Sequence, residues 1–593
     1  MRNLLFLFVV VLSTSAFAQS SALGKNYFER GDYEKALAIF KKLVRQNPNR
    51  TDFSTYLIKS HQQLENFEEA ERIIRERLNG RREISKFYIE LGHNYALQEK
   101  DSLAKVYYEK AIKGIEENPF NAYLIGKTFT DYSLLDEAVA TYELAMKIDP
   151  ERDYNPQLAR IYGEQGELGK MFETYVELIQ SNTGYRSTAQ RNFSFYITED
   201  PNNEANSILR KTLLKKLQHG PNILYNELLS WLFIQQKEFH KAFLQEKAIF
   251  KRSEEGLQGI IDLLRITIEE EYYEDAQEIV AFVIEKAPTP DARLQGYQYL
   301  MSVKLKLAKP KDYPGIEKQY LALFEEFGKN IGTLALQLDY NHFLAFQNGR
   351  LNESITNLKK LSEKRLTIYQ EARVKMKLAD ILVFDEKFNE ALIYYSQVQK
   401  KVKSHVLAQE ARFKVARTSY FKGDFEWAQI QLDVLRKSAS QLIANDAMQL
   451  SLMIRDNSLE DSTQTALKKF SRADLLSLQN KNNEAIILLQ DILTNHKGEK
   501  IEDETLLKMG EIYEISQRYD QAEASYLKLI EFYNDDILAD DAHFRLAKLY
   551  EGPLAQPDKA KELYEQIIFN FADSIYFVEA RKRYRMLRGD AIN

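Results

Sequence analysis

A repeat of 34 residues constrains the fold of this chain more than any other feature of its sequence. Small, aromatic, alanine and proline residues recur at fixed offsets. They are Gly24, Tyr27, Ala36, Phe40, Leu43 and Pro48, and 102 residues later Gly126, Phe129, Ala138, Tyr142, Ala145 and Pro150. Within one repeat these are positions 8, 11, 20, 24, 27 and 32. A period of this length indicates stacked supersecondary units, each burying its apolar face against its neighbours.

The repeat positions have a direct packing interpretation. Small side chains at positions 8 and 20 allow two helices to cross closely, while the aromatic side chains at positions 11 and 24 fill the remaining space. Gly31-Asp32 and Gly423-Asp424 fall between the helices, where Gly ends the first helix and Asp can cap the second. Gly and Pro are otherwise scarce, at 23 and 12 residues, which disfavours sandwiches and barrels.

Position 20 predicts fifteen repeats. Its residues are Ala36, Ala70, Ala104, Ala138, Met171, Ala205, Ala242, Ala276, Ile316, Ser354, Ala391, Ala428, Ala485, Ala522 and Ala560. The repeats that contain Met171, Ile316 and Ser354 depart most from the pattern. The 57 residues between Ala428 and Ala485 leave room for one additional helix, about Ile443 to Arg455.

These offsets resemble the tetratricopeptide repeat. The resemblance implies an all-α, right-handed α-solenoid (superhelix) of about fifteen helix pairs, with a concave groove lined by positions 2, 5, 9, 12 and 13 of each first helix. The segment Leu538 to Leu587 is similar to tetratricopeptide proteins of the Gram-negative envelope, including outer-membrane assembly lipoproteins and Tol-Pal accessory proteins. Its last helix, Tyr576 to Leu587, fits the polar cap that ends a solenoid.

Composition shifts divide the chain into a signal peptide and three arrays. Arg2, an apolar run from Leu4 to Leu12 and the cleavage site Ala16-Phe17-Ala18 predict an export signal over residues 1–18. We expect an N-terminal array over 19–219, a degenerate middle array over 220–440, and a C-terminal array with its capping helix over 441–593. The expected location is the periplasm, with or without association with the outer membrane.

Several chemistries are disfavoured by the sequence. With no Cys, the chain has no disulfide, thiolate metal site or Cys nucleophile. Gly126-Lys127-Thr128 lacks the earlier Gly of a phosphate-binding loop, and neither a G-x-S-x-G nor an H-E-x-x-H motif occurs. Glu90 and His93, like Asp540 and His543, have the i, i+3 spacing of half a metal site. A complete site needs further carboxylates from neighbouring helices. We therefore predict no cofactor, no metal and no enzymatic activity.

The sequence also limits the possible partners. A net charge of −6 gives no global attraction to nucleic acid or to an anionic membrane, and no segment is long and apolar enough to span a bilayer. Protein or peptide partners remain. The alternative is a factor acting on glycans or peptidoglycan, in which Glu90, Glu164 or Glu269 would supply a pair of carboxylates in the groove.

Position 9 carries the strongest functional pattern. Five consecutive repeats place a basic residue there, and we refer to these residues as the basic column: Lys25, Lys59, His93, Lys127 and Arg160. Later repeats are mixed at this position, with Trp231, Arg265, Phe343, Asp380, Arg417, Asp474, Glu511 and Lys548. The basic column predicts a groove for an acidic peptide, with the alternative that these side chains only keep the groove hydrated. The carboxylate clamp of the family also uses Asn and further basic residues at neighbouring positions. This chain does not reproduce them, and Ser21 and Thr55 stand at position 5.

Overall fold

The computed structural model describes residues 21–79, 84–253, 256–403, 405–438, 441–458 and 463–589. Throughout these ranges the regular structure is helical and no strand occurs. Contacts divide the chain into two compact units, an N-terminal unit to Tyr225 and a C-terminal unit from Asn226. The predicted signal peptide, residues 1–18, lies outside the described residues, and the three-array division stays a prediction.

Twelve α-helices and two short 3₁₀ turns, Pro119–Asn121 and Thr183–Tyr185, form the N-terminal unit up to the helix at its boundary. The helices are α1 (21–29), α2 (Tyr33–Gln46), α3 (Thr51–Gln63), α4 (Phe67–Leu78), α5 (Ile84–Ala96), α6 (Asp101–Glu117), α7 (Ala122–Asp131), α8 (Leu135–Ile148), α9 (Asn155–Glu164), α10 (Leu168–Ser181), α11 (Arg186–Phe193) and α12 (Glu204–Gln218).

The remaining helices begin with α13, which spans the boundary between the units, and include the 3₁₀ turn Pro310–Asp312. They are α13 (Ile223–Gln235), α14 (Phe239–Phe250), α15 (Gln258–Glu269), α16 (Tyr273–Lys286), α17 (Pro290–Leu307), α18 (Tyr313–Phe327), α19 (Leu334–Phe346), α20 (Leu351–Ser362), α21 (Ile368–Phe384), α22 (Phe388–Lys401), α23 (Val406–Lys422), α24 (Phe425–Ser438), α25 (Gln441–Asp456), α26 (Thr465–Leu478), α27 (Asn482–Asn495), α28 (Glu502–Ile515), α29 (Tyr519–Tyr533), α30 (Ala539–Glu551), α31 (Pro557–Asn570) and α32 (Phe577–Arg588).

The predicted solenoid of helix pairs is confirmed by burial at position 20. All fifteen residues predicted at this position are buried, with exposed fractions of 0% to 5%. The degenerate repeats keep the same packing: Met171 and Ile316 are buried, and Ser354 satisfies its hydroxyl by donating to the Asn341 carbonyl at 2.8 Å. Packing at this position therefore tolerates residues larger than Ala.

In the repeats of Gly126 and Gly510, close crossing of the helices depends on Gly at position 8 beside a tyrosine at position 24. A methyl group added at Gly126 would lie 2.3 Å from the Tyr142 ring, and one added at Gly510 would lie 2.2 Å from the Tyr526 ring. Both distances are far below van der Waals contact. The tyrosine ring thus occupies the volume that a side chain at position 8 would need.

The turn between paired helices uses one residue of positive φ, whether or not it is Gly. Gly31 and Gly423 have φ of 80°, and Glu65 and Glu386 adopt 57° and 60° at the equivalent place. In each case the next backbone N–H donates to a carbonyl five residues earlier, as Asn66 does to His61 at 2.9 Å. This pattern is typical of a helix that ends in a left-handed residue.

The predicted Asp caps are confirmed at one turn and wrong at the other. Asp424 accepts a hydrogen bond from the Trp427 backbone N–H at 3.3 Å. Asp32 makes no capping hydrogen bond and instead pairs with the Lys35 ammonium at 3.1 Å. The exposed lysine one turn along the helix competes for the carboxylate and wins at Asp32.

The additional helix predicted between Ala428 and Ala485 is present as α25. It packs against α23 and α24, while α23 also packs directly against α26. The first-helix layer is therefore continuous past the insertion. The turn after α21 contacts α26, because Gln479 donates to the Phe384 carbonyl at 2.8 Å and Arg472 pairs with Glu386 at 2.7 Å.

Candidate functional site

The basic column lies on five successive first helices of the N-terminal unit. Helices α1, α3, α5, α7 and α9 each contribute one of its residues, because each repeat places position 9 one residue after the buried residue at position 8. Lys127 and Arg160 are exposed, and Lys25, Lys59 and His93 are half-buried. The structure brings Lys59 and His93 together around one aromatic ring, and Lys25 against another.

That first ring belongs to Tyr132, which follows α7. The Lys59 ammonium lies 4.5 Å from the centroid of the Tyr132 ring, and the His93 ring lies 4.1 Å from it, tilted by 30°. The Tyr132 hydroxyl donates to Glu90 Oε2 at 2.5 Å. Lys59 is thus oriented by a cation–π contact rather than by an ion pair with a carboxylate.

Burial controls the charges of this cluster. Glu90 is completely buried, and desolvation raises the pKa of its carboxyl above the usual range, against the lowering effects of the Tyr132 hydrogen bond and the Lys59 charge. Burial also raises the pKa of Tyr132, so its phenol keeps the proton that it donates. The second carboxyl oxygen, Glu90 Oε1, has no hydrogen-bond partner among the described residues.

His93 does not contribute the positive charge that the sequence suggested. Burial, followed by the nearby Lys59 charge, lowers the pKa of His93 to about 4. At neutral pH its imidazole is therefore uncharged. The basic column then carries four positive charges, with a neutral ring in the middle.

The column is not held by stacking position 9 on position 9. Lys25 and Lys59 instead face position 6 of the next first helix. Lys25 lies against Tyr56, its ammonium 5.3 Å from the ring centroid, and Lys59 faces Glu90 in the same register. Gln157, at position 6 of the repeat after Lys127, has its Oε1 buried without a partner in the described part of the chain.

The same register is filled by ion pairs in the C-terminal unit. Position 9 on one first helix and position 6 on the next form three such pairs: Asp380 with Lys414 at 2.7 Å, Asp474 with Lys508 at 2.8 Å, and Glu511 with Arg545 at 2.6 Å. In the N-terminal unit, Arg160 pairs within its own helix, with Glu164 at 3.4 Å. Among the described residues, no ion pair joins the basic column to a neighbouring repeat.

Tyr132 and Glu90 are the functional side chains whose roles the sequence did not reveal. Tyr132 stands 42 residues after Glu90 and just beyond the end of α7, outside the groove positions of the family. The available signal was Glu90 itself, because an acidic residue stands at position 6 of the repeat that follows the one with Lys59 at position 9. The register that joins these two positions became visible only in the structure.

The residues proposed for a glycan site do not form a pair. Glu90 is buried and bonded to Tyr132, Glu164 is paired with Arg160, and Glu269 is an exposed residue of the C-terminal unit. The second metal half-site is also engaged elsewhere, since His543 Nε2 lies 2.9 Å from Asn534 Oδ1. Across the described residues, no group of three or more His, Asp or Glu side chains is arranged to hold a metal ion.

Comparison with known families identifies the repeat. The tetratricopeptide repeat family matches residues 27–82, 503–536 and 541–574. A comparison with curated protein sequences gives no match. The predicted tetratricopeptide repeats are thus confirmed in these three segments.

Two of the solved structures with similarity to this chain are complexes. The Cut9–Hcn1 hetero-tetramer of the APC/C matches with 14% identity over 98% of each chain and a TM-score of 0.25. A chain of the Naa15/Naa10 complex bound to HypK-THB matches with 12% identity over 97% of this chain and 94% of its own, at a TM-score of 0.29.

A tetratricopeptide repeat protein from Parabacteroides merdae matches with 14% identity over 50% of this chain and 97% of its own, at a TM-score of 0.24. Among the helices that the structure describes, none is long and apolar enough to cross a bilayer. The chain therefore contains tetratricopeptide repeats near both ends of its sequence, and this repeat typically forms a non-catalytic scaffold for protein–protein interaction.

Proposed function

We propose that the N-terminal unit binds an acidic segment of a partner protein along its basic column. The observation that carries this proposal is that Lys59 at position 9 and Glu90 at position 6 of the next repeat face each other without forming an ion pair. In the C-terminal unit the equivalent contacts are ion pairs, whereas Lys59 is held over the Tyr132 ring and forms no ion pair in the described chain. A ligand carboxylate can approach this ammonium without displacing a protein carboxylate.

Spacing along the array favours an extended ligand over a single anion. Lys25, Lys59 and Lys127 lie on three different first helices, so one small anion cannot contact all of them. An extended segment with several Asp or Glu side chains can contact each lysine in turn. Each exposed charge contact contributes about 0.2 to 1 kcal/mol and weakens with salt, so affinity depends on several contacts acting together.

Export of the chain is a second part of the proposal. The charged start, the apolar run and the A-x-A site of residues 1–18 support a signal peptide, and the similarity of Leu538 to Leu587 to envelope proteins supports a periplasmic or outer-membrane scaffold. Expression in a Gram-negative host followed by N-terminal sequencing tests this directly. A mature chain that begins at Gln19 is expected, and an uncleaved cytoplasmic chain would contradict export.

Charge reversal in the column tests peptide binding. The probe is a fluorescent peptide of alternating Glu and Ser, measured by fluorescence anisotropy with the full chain at 50 and 300 mM NaCl. Lys59→Glu with Lys127→Glu is expected to weaken binding about tenfold at low salt, because two attractions become repulsions. The matched control, Lys105→Glu with Lys113→Glu on α6, makes the same charge change away from the first helices. Equal weakening by both double variants would contradict a specific groove.

A further inference from the structure

A second recognition surface lies on the C-terminal unit, at the edge where second helices pass into first helices. Its large apolar side chains are unusually exposed, from 67% to 85%. We call it the C-terminal edge patch, formed by Phe532, Ile537, Phe569, Ile575 and Val578. Exposed apolar clusters of this kind mark interaction sites more often than scattered single residues do.

Two stretches supply the patch, and internal contacts join them. One runs from the end of α29 to the start of α30 and the other from the end of α31 into the first turn of α32, and both contact His543 of α30. Its Nε2 lies 2.9 Å from Asn534 Oδ1, and its ring centroid lies 5.3 Å from that of Phe571. Tyr576 adds a second link, because its hydroxyl donates to Asp541 Oδ1 at 2.7 Å and its ring stacks on Phe544. These contacts hold the two stretches against each other.

The apolar character distinguishes the last two repeats from the repeat just before them. Ile537 and Ile575 each lie five residues before a buried Ala, Ala542 and Ala580. In the preceding repeat the same place, five residues before the buried Thr505, is occupied by Lys500. A surface loop whose only role is to connect two helices does not require an exposed isoleucine. The last two repeats nevertheless both have one where the repeat before them has a lysine.

Charge around the patch indicates what kind of partner it fits. Residues 531–541 and 569–579 contain seven acidic residues and no Lys, Arg or His, and basic residues begin at Arg581 on α32. Asp535, Asp536 and Asp573 are exposed, and no ion pair involves them within the described residues. These three carboxylates would repel an anionic lipid surface or an acidic peptide, but they complement a cationic one.

We propose that the C-terminal edge patch docks an amphipathic helix of a partner protein, whose apolar stripe is flanked by Lys or Arg. The apolar stripe covers the exposed isoleucine, valine and phenylalanine side chains, and the flanking cations face the three aspartates. This helix-on-surface mode uses anchor residues at spacings of three and four. This surface is separate in sequence from the basic column, for which we propose an acidic rather than a basic partner.

A synthetic probe tests the proposal on the full chain. The probe is an 18-residue fluorescent peptide of Leu and Lys with leucines at helical spacing, compared with its Leu/Glu counterpart and with a scrambled Leu/Lys sequence. Fluorescence anisotropy is expected to show salt-sensitive binding of the ordered Leu/Lys peptide only. Ile537→Ser with Ile575→Ser is expected to weaken it at least tenfold, and Asp535→Asn with Asp573→Asn to reduce its salt dependence.

Matched variants separate this surface from general charge attraction and from the groove. Leu103→Ser with Val106→Ser removes two exposed aliphatic side chains from α6 and should leave binding unchanged, as should Lys59→Glu with Lys127→Glu. Equal losses in the α6 variant, or equal binding of the scrambled peptide, would overturn the proposal. It would also be overturned if the Ile537 and Ile575 variant changed only self-association in sedimentation or only binding to anionic phosphatidylglycerol vesicles.

Discussion

Position 9 faces position 6 of the next first helix in both units, and the two units use this contact differently. In the C-terminal unit it joins Asp474 to Lys508 and other residues of opposite charge. In the N-terminal unit it places Lys25 over Tyr56 and Lys59 opposite Glu90, which is bonded elsewhere. One packing geometry can thus tie neighbouring repeats together or leave charge available for a ligand. Which outcome occurs depends on a few side chains rather than on the fold.

The largest predicted effect concerns the close helix crossing at a position 8 glycine, which occurs in both units. Gly126→Ala and Gly510→Ala should each destabilise their own unit by about 3 kcal/mol, because the new methyl group overlaps a tyrosine ring that has no free space. Hydrogen exchange followed by mass spectrometry would report each loss in the helices concerned. Both Trp residues, Trp231 and Trp427, lie in the C-terminal unit, so their fluorescence should follow Gly510→Ala only.

Gly315→Ala is the control for that experiment. Gly315 lies inside α18 with no atom within 4 Å of the position that its methyl group would take. Replacement there should stabilise the helix by about 0.5 to 1 kcal/mol. Destabilisation by all three substitutions alike would show that close crossing is not the reason for Gly at position 8.

The next effect is a pH dependence that the N-terminal cluster creates. Because the pKa of His93 is about 4 in the folded chain and near 6.5 when unfolded, its neutral form stabilises the fold above pH 6.5, and this contribution is lost as the pH falls toward 4. The loss is on the order of 2 kcal/mol for a half-buried ring. His93→Gln should remove this difference in protection of α5 and α7 between pH 7 and pH 4.5.

An exposed histidine provides the comparison for His93. His240 in the C-terminal unit has 55% of its side chain exposed and lies 2.7 Å from Glu278. The His240→Gln variant should keep the full acid sensitivity of α5 and α7. If His93→Gln retained that sensitivity too, the cause would lie in another group of the cluster.

Sequence reasoning predicted the parts of this fold that repeat and missed the parts that depend on cross-repeat contacts. The small residue at position 8, the buried position 20 and the inserted helix between Ala428 and Ala485 all follow from periodic spacing. Periodicity cannot show that Lys35 takes the Asp32 carboxylate, or that burial keeps His93 neutral. Both depend on solvent exposure and on neighbours that the repeat pattern does not specify.

The smallest predicted effect measures the difference between the units directly. A double-mutant cycle of Asp474→Asn and Lys508→Met should give a coupling energy of about 1 kcal/mol, since both side chains are mostly buried and in contact. The cycle of Lys59→Met and Glu90→Gln should give less than about 0.5 kcal/mol, because the ammonium and the carboxyl are not paired.

We expect Tyr132→Phe to convert the unpaired contact between Lys59 and Glu90 into an ion pair like that of Asp474 and Lys508. Without the phenol, Glu90 loses its hydrogen-bond donor, and the Lys59 ammonium becomes its best replacement. The coupling between Lys59 and Glu90 should then rise toward the value in the C-terminal unit, while affinity for the Glu/Ser peptide falls. Unchanged coupling in the Tyr132→Phe background would show that Tyr132 does not keep Lys59 open.

The helix inserted between α24 and α26 has a geometric consequence for anything that follows the inner side of the C-terminal unit. α25 packs mainly against α24, whereas α23 packs directly against α26, so the insertion adds a helix on the side of the second helices. On the side of the first helices, Gln479 reaches the Phe384 carbonyl across an intervening helix pair. A ligand that runs along the first helices of this unit would therefore meet the ends of α21 and α26 already joined, with α23 between them.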